Sequence, residues 1–365
     1  MLTRAATLWK VNESLKIEEI EVEAPKLGEV LVRMVASGIC HTDPSVIHGS
    51  LPNPLPVILG HEGAGIVEKI GPGVSKLQPG DPVVVAAVPH CGHCRFCLEG
   101  KPFNCRNFMA LALGGAMPDG TKRFRRDGEE ICHFFCQSSF SEHAIVPERI
   151  AVKVAKDLPL EKLGPLACGV QTGAGAVLNT AGVRPGESVV VIGCGAVGLS
   201  AVMAAKLARA FPILAVDLLE DRLRLARDLG ATETLQAGKV DVVAEVQRIT
   251  GGGADYAFEC LGKAETIRQS IDCARMGGGT AVISGAMVAG AEVTLDGLGL
   301  ILKNVCGNVE GGSNPDLFIP LLIEFWRRGE FPFDRLLSRT YRLEEINQAI
   351  ADMERGQVIK PLILY

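Results

Sequence analysis

Apolar positions change their period once along this chain. Between residues 29 and 88 they come in short runs: "EVLVRMVASGIC" (29–40), "AGIVEKIG" (64–71) and "DPVVVAAV" (81–88). Turn-forming stretches such as "PGVSKLQPGD" separate them. Such runs bounded by Pro and Gly predict strands, so residues 1–150 are expected to be largely β. From about residue 171 the texture alternates. "SVVVIG" (188–193) predicts a buried strand and "AVGLSAVMAAKLAR" (196–209) a helix. "PILAVD" (212–217) and "LEDRLRLARDLG" (219–230) repeat the pair, and strand-like "ADYAFECLG" and "GTAVISGA" continue it. This alternation implies an α/β class with a parallel, doubly wound sheet. The tail after residue 311 predicts a helix at "DLFIPLLIEFWRRGE", a second helical stretch at "YRLEEINQAIADMERG" and a last strand "KPLILY". The charged segment 119–130, "DGTKRFRRDGEE", is expected to be an exposed, solvated loop.

Length and composition narrow the classes. A chain of 365 residues is too long for one ordinary core, so two domains are expected. With 47% hydrophobic residues it should pack rather than remain disordered. A net charge of −5 without a long basic run argues against a nucleic-acid or anionic-membrane surface. No signal-peptide pattern opens the chain, and no stretch reaches about 18 uncharged apolar residues. A cytoplasmic protein is expected, its twelve cysteines being thiols or metal ligands rather than disulfides.

"VVVIGCGAVGLS" carries Gly193, Gly195 and Gly198 in G-x-G-x-x-G spacing, with Val197 inside it. The motif follows a predicted strand and opens a predicted helix. Asp217 closes the next strand, 19 residues after Gly198. Gly193 permits the tight turn, Gly195 the approach of a pyrophosphate, and Gly198 close packing of helix on strand. Asp217 should bind ribose hydroxyls and repel a 2′-phosphate, which favours NAD over NADP. Arg222 is either an adenine or ribose contact or an exposed helix charge.

"PHCGHCRFCLEGKPFNC" (89–105) spaces Cys91, Cys94, Cys97 and Cys105 as C-x2-C-x2-C-x7-C. Four local thiolates close a tetrahedral shell around zinc and leave no position for substrate, so this site is expected to be structural. An iron–sulfur cluster is the alternative for four cysteines. His90 and His93 are superfluous to such a shell. Other metal-type residues are scattered: Cys40 in "GICHTDPS", His61 and Glu62 in "LGHEGAG", Cys168 in "LACGVQTG". Two cysteines and a histidine bind zinc with the fourth position open. Zinc lowers the pKa of a bound water to about 7, and an alcohol there would bind as an alkoxide ready to lose hydride. Singly, Cys40 and Cys168 read as buried thiols and His61 as a hydrogen-bonded core residue.

These ordered motifs resemble the zinc-dependent medium-chain alcohol dehydrogenases over the whole chain, through "CHTD", "GHEGAGIVEKIG", the four-cysteine lobe, "ACGVQTGAGA", "GCGAVG" and Asp217. The resemblance implies a GroES-like catalytic domain at 1–170 and 311–365, interrupted by a Rossmann NAD-binding domain at 171–310. It implies two zincs per chain: catalytic at Cys40, His61 and Cys168, structural at the lobe. Glu62 matches an acidic residue behind the metal and Asp43 a carboxylate orienting His61. Thr42 matches the hydroxyl that takes the alcohol proton. Thr172 matches a nicotinamide-side contact, and His41 and Lys360 match pyrophosphate contacts. Where several relatives end the proton path with histidine, this chain has Ser45, with His48 or a water chain as substitutes.

For the substrate, the formaldehyde branch that uses S-(hydroxymethyl)glutathione places an arginine where this chain has Met109, so the anion clamp is missing. "LGPLACGVQTGAGAVLN" resembles the aryl- and benzyl-alcohol dehydrogenase branch. Ala87 and Ala110 match pocket positions and are small, while Thr42 crowds the carbon beside the metal. Bulky primary alcohols (benzylic, cinnamyl or terpenoid) are expected, interconverted with their aldehydes. Metal-free quinone or enone reductases share the fold but lack the seven candidate zinc ligands. The loop at 115–135 resembles the dimeric type, so a homodimer is expected, with a tetramer as the alternative.

Overall fold

The computed structural model describes residues 1–365. It divides into two compact units: residues 1–168, 314–321 and 334–365 form one, and residues 169–313 and 322–333 the other.

The first unit is mostly β. Its strands are β1 (Leu2–Leu8), β2 (Lys16–Val22), β3 (Glu29–Gly38), β4 (Val57–Ile58), β5 (Glu62–Ile70), β6 (Pro82–Val85), β7 (Phe124–Arg126), β8 (Glu129–Ile131), β9 (His143–Pro147) and β10 (Ala151–Lys153). The second unit holds β11 (Val189–Ile192), β12 (Ile213–Asp217), β13 (Glu233–Gln236), β14 (Tyr256–Glu259), β15 (Gly279–Ile283) and β16 (Lys303–Gly307). The chain then returns to the first unit through β17 (Leu337–Arg342) and β18 (Lys360–Leu364).

One sheet of the first unit runs β4-β1-β2-β7-β8. The other runs β10-β6-β5-β3-β18-β17, with β9 also on β3. β3 is its spine: Val30, Leu31, Val32, Met34 and Ala36 are all buried. The last strand pairs antiparallel with the end of β3, Leu362 opposite Gly38, which carries the C-terminal segment to the start of "CHTD". In the second unit six parallel strands run β13-β12-β11-β14-β15-β16. The central β11 is buried at all four positions. That is why its sequence is continuously apolar rather than alternating. The GroES-like plus Rossmann class read from the sequence is the observed one. No helix is long and apolar enough to cross a membrane.

Two expectations are corrected. The segment 119–130 is a solvated loop only in part: residues 119–121 and 127–130 are exposed, but Arg123 and Phe124 are buried. It contains the β7–β8 hairpin, and Arg123 is fully buried. Its Nη2 and Nε donate to the two carboxylate oxygens of Glu29 at 2.6 and 2.9 Å, and Nη2 also donates to Asp119 at 2.8 Å. The charge is neutralised by a partner 94 positions away, which no local pattern reveals. The tail stretch 341–356 is not helical throughout. Tyr341 and Arg342 close β17, and the α-helix is confined to Ile346–Glu354. Pairing with β18 overrides the helical spacing there.

Candidate active site

Cys40 lies just beyond β3, His61 immediately before β5, and Cys168 at the end of the first unit's main segment. These scattered positions converge: the thiols of Cys40 and Cys168 and a nitrogen of His61 lie within 4.8 Å of one another. Cys40 Sγ is 4.0 Å from Cys168 Sγ. Asp43 organises the group. Its Oδ1 accepts from His61 Nδ1 at 3.2 Å and from the Gly60 N–H at 3.1 Å, and its Oδ2 accepts from the Cys40 N–H at 2.9 Å. With Nδ1 committed, the buried Nε2 of His61 has no hydrogen-bond partner.

The electrostatics are those of a charged donor set. The Cys40 thiol is held well below its ordinary range by the hydrogen bond with Cys168 and by the His61 and Lys360 charges, against the cost of burial. Burial opposes a charge on His61, but Asp43 and Cys40 outweigh it and raise the imidazole. Behind them Lys360 donates to Glu62 Oε1 at 2.7 Å and to the Ile39 carbonyl at 3.0 Å. Burial lifts the Glu62 carboxyl, partly offset by Lys360. The Lys360 ammonium is only 3% exposed and directed at Glu62, whereas His41 is exposed at the start of the helix Thr42–Ile47. The Thr42 hydroxyl lies 3.5 Å from Cys40 Sγ. Ala87 is buried and Ala110 exposed, on the short helix Phe108–Leu113.

Sequence reasoning missed the wall that presses on His61. Phe135 stacks on the imidazole at 4.8 Å between centroids, and Phe134 meets it edge-on at 5.3 Å. Gln137 Nε2 donates to the His61 carbonyl at 2.9 Å. Phe135, Cys136 and Ser138 all have positive φ, so this segment is held in a left-handed path that ordinary side chains avoid. Nothing local in "CHFFCQSS" announces it.

The four lobe cysteines also converge, their sulfurs within 4.8 Å of one another. Backbone N–H groups of Cys91, Cys94 and Asn107 point at these sulfurs from 3.3–3.4 Å. Backbone donors pull the Cys94 thiol down to about 6. His90 and His93 direct Nδ1 to the carbonyls of Val88 and Cys91, outside the sulfur cluster. Arg149 clamps the lobe through the His90 and Cys91 carbonyls. Cys132, Cys136, Cys194 and Cys273 are buried; Cys260 and Cys306 are partly so.

In the second unit Gly193 has φ +96°. A side chain at Gly198 would place its Cβ 1.7 Å from the Gly193 carbonyl oxygen. A Cβ at Gly195 would meet nothing within 4 Å, the open approach a pyrophosphate needs. Val197 lies half-buried on the first turn of the helix Ala196–Leu207. Asp217 accepts from the N–H groups of Cys194 and Leu219 at 2.7 and 2.9 Å. Arg222 Nε is buried without a partner. The Thr172 hydroxyl donates to Glu310 Oε2 at 3.2 Å.

The model of the family described as alcohol dehydrogenase GroES-like domain matches residues 26–156, and that described as zinc-binding dehydrogenase matches residues 196–322. A geraniol dehydrogenase from Castellaniella defragrans is 42% identical, covering 99% of this chain and 97% of its own. The chain belongs to the zinc-dependent medium-chain alcohol dehydrogenases. An S-(hydroxymethyl)glutathione dehydrogenase from Paracoccus denitrificans is 38% identical over the full length of both chains. The crystal structure of benzyl alcohol dehydrogenase from Acinetobacter calcoaceticus is 41% identical and superposes with a TM-score of 0.95, covering 100% of this chain and 99% of its own. An NADP-bound dehydrogenase structure from Sinorhizobium meliloti is 27% identical, at a TM-score of 0.81 over the full length of both.

This alcohol dehydrogenase is therefore an oxidoreductase that uses zinc and a nicotinamide cofactor. Its residues fit both groups. An orphaned Nε2 beside two thiols is a donor set of the kind zinc takes. The uncrowded face at Gly195 matches a dinucleotide phosphate.

Proposed function

We propose that this dehydrogenase oxidises bulky primary alcohols, benzylic, cinnamyl or terpenoid, to aldehydes with NAD, and that each chain takes two zincs. The convergence of Cys40, His61 and Cys168 around an unpartnered His61 Nε2 carries the reading. Zinc held there would supply Lewis acidity toward an alcohol oxygen, and bound NAD would supply the hydride-accepting ring.

The chain's own residues do the rest. Asp43 holds His61 through Nδ1, which leaves Nε2 as the atom that would bind the metal. Thr42, 3.5 Å from the Cys40 sulfur, accepts the alcohol proton and passes it outward. Ser45 donates to the His41 carbonyl, and His48 is joined to Glu354 at 2.7 Å, so water rather than His48 completes the path. Lys360 and Glu62 neutralise each other behind the metal ligands; the pyrophosphate contact then falls mainly to His41. Asp217 favours NAD because a 2′-phosphate would meet its carboxylate. Gly193, Gly195, Val197, Gly198, Arg222 and Thr172 complete the coenzyme set. Cys91, Cys94, Cys97 and Cys105 hold the structural zinc.

Small Ala87 and Ala110 and the absence of an arginine at Met109 support a bulky, uncharged substrate over S-(hydroxymethyl)glutathione. The names of the Castellaniella and Acinetobacter relatives agree with that choice. The test is a coenzyme-coupled panel of primary alcohols with NAD and NADP, with zinc quantified on the same sample. Preference for benzylic or terpenoid alcohols with NAD and two zincs per chain is expected. Preference for ethanol, dependence on glutathione or activity without zinc would refute the proposal.

A further inference from the structure

Beyond the substrate, the second unit carries a fixed charge whose position bears on which redox form of the coenzyme is held more tightly. The strand order of its parallel sheet reverses between β11 and β14. In such sheets a dinucleotide lies across the carboxyl ends of the strands, one mononucleotide on each side of the reversal. Asp217 ends β12, so the adenosine half belongs over β12 and the nicotinamide half over the ends of β14, β15 and β16.

Two carboxylates stand at those three ends. Glu259, closing β14, is fully buried, and its Oε1 accepts from the Leu261 and Gly262 N–H groups at 2.9 and 2.8 Å and from the Thr266 hydroxyl at 2.7 Å. It braces the loop. Glu310, three residues beyond β16, is only partly buried. Its backbone has φ +46°, a region that costs a side-chain-bearing residue energy and persists only where the surroundings impose it. They do so here. A Cβ on the neighbouring Gly311 would fall 2.2 Å from the Gln171 carbonyl oxygen. Asn308 Nδ2 donates to the Thr172 carbonyl at 3.2 Å and to Ser284 Oγ at 2.9 Å, tying this segment to the end of β15. The carboxylate itself is held at Oε2 by the Thr172 hydroxyl at 3.2 Å and the Gln171 amide at 3.5 Å.

We propose that Glu310 is an electrostatic determinant of coenzyme redox preference, favouring bound NAD over bound NADH. The inference rests on the nicotinamide-cofactor reading above. Alcohol oxidation moves a hydride, one proton with two electrons, from carbon to the nicotinamide ring and releases the hydroxyl proton. The ring thereby changes from cationic to neutral. A carboxylate fixed beside it attracts only the oxidised form.

The test measures dissociation constants of NAD by calorimetry and of NADH by fluorescence, on the full zinc-loaded chain. Glu310→Gln keeps an acceptor for Thr172 and removes the charge. Glu310→Asn removes the same charge with a side chain that tolerates the left-handed backbone. Either should raise the ratio of the NAD to the NADH constant about tenfold, with NADH binding changed by less than about twofold. Glu310→Asp, which keeps the charge, should stay near the wild-type ratio. An unchanged ratio in both neutral variants, or equal weakening of both coenzymes, would assign Glu310 a purely structural role and overturn the proposal. Wild-type protein that binds neither coenzyme would overturn the nucleotide-site reading as well.

Discussion

Asp43 reaches two of the three donors of the candidate metal centre, one through its imidazole and one through its backbone N–H. Thr42, its neighbour, reaches only the Cys40 sulfur. The two side chains should therefore separate experimentally. Thr42→Ala should suppress turnover by about 10²–10⁴-fold, the usual worth of a positioned proton acceptor, while zinc content and coenzyme affinity stay at wild-type values. Wild-type rates in that variant would remove Thr42 from the chemistry. A second residue-scale effect lies at His133, which is buried and accepts the Arg123 N–H at Nε2. Burial, and then the Arg123 and Lys122 charges, push its pKa down to about 3. The unfolded chain, with an ordinary histidine near 6.5, binds more protons than the folded one between these values. Stability must therefore fall as pH drops below about 6.5, by about 2 kcal/mol at pH 5 from this group alone. Urea titrations at pH 7 and pH 5 should show that loss shrink in His133→Gln; an equal loss in both proteins would exonerate His133.

At the scale of elements, the β7–β8 hairpin is pinned to β3 by Arg123 on Glu29. Truncating one member of a buried pair strands the other charge, so Arg123→Met should cost about 3–5 kcal/mol in chemical denaturation. A cost below about 1 kcal/mol would show that the pair contributes little. The cysteine lobe is proposed as the opposite kind of element, in which stability is local and chemistry is elsewhere. Its four sulfurs lie within 4.8 Å of one another, a set that would fill a tetrahedral zinc shell with no position left for substrate. Cys97→Ala should lower the thermal midpoint and release one zinc per chain, before it lowers the specific activity of the molecules still folded. A thermally normal Cys97→Ala enzyme without activity would reverse the assignment of the two metal sites.

For the whole molecule, assembly has a physical handle in β16. It pairs only with β15, so its outer edge is unpaired. Val305 on that strand is exposed, as are Leu298, Ile301 and Leu302 just before it. An apolar open edge is a site where a second copy can add its own strand, and the homodimer expected from the sequence would use it. Val305→Asp should then shift light-scattering mass toward one chain; an unchanged mass would place the interface elsewhere.

Much of this was legible without coordinates, for a reason common to all the legible parts. The glycine fingerprint, the four-cysteine spacing and the strand–helix alternation are short-range constraints, so neighbours in sequence carry them. Gly198 must lack a Cβ because a residue five positions away comes within 1.7 Å of where it would stand. The candidate metal set Cys40, His61 and Cys168 was legible only as scattered zinc-type residues that the resemblance then strengthened, because each residue taken singly reads as an ordinary buried side chain. Arg123 was misread because its partner Glu29 lies in another strand, and charge alone predicts solvent.

By itself, then, the sequence determined the alternation of β-rich and doubly wound segments, the dinucleotide loop and the closed sulfur lobe, whose interactions span at most a few turns of chain. Tertiary structure alone decided which distant side chains share a site. It stacked Phe135 on His61, turned Lys360 inward onto Glu62, and set the Glu310 carboxylate beside Thr172 at the ends of the parallel strands. Those pairings depend on sheet order and on backbone forced into left-handed turns, and neither is written in the spacing of nearby residues.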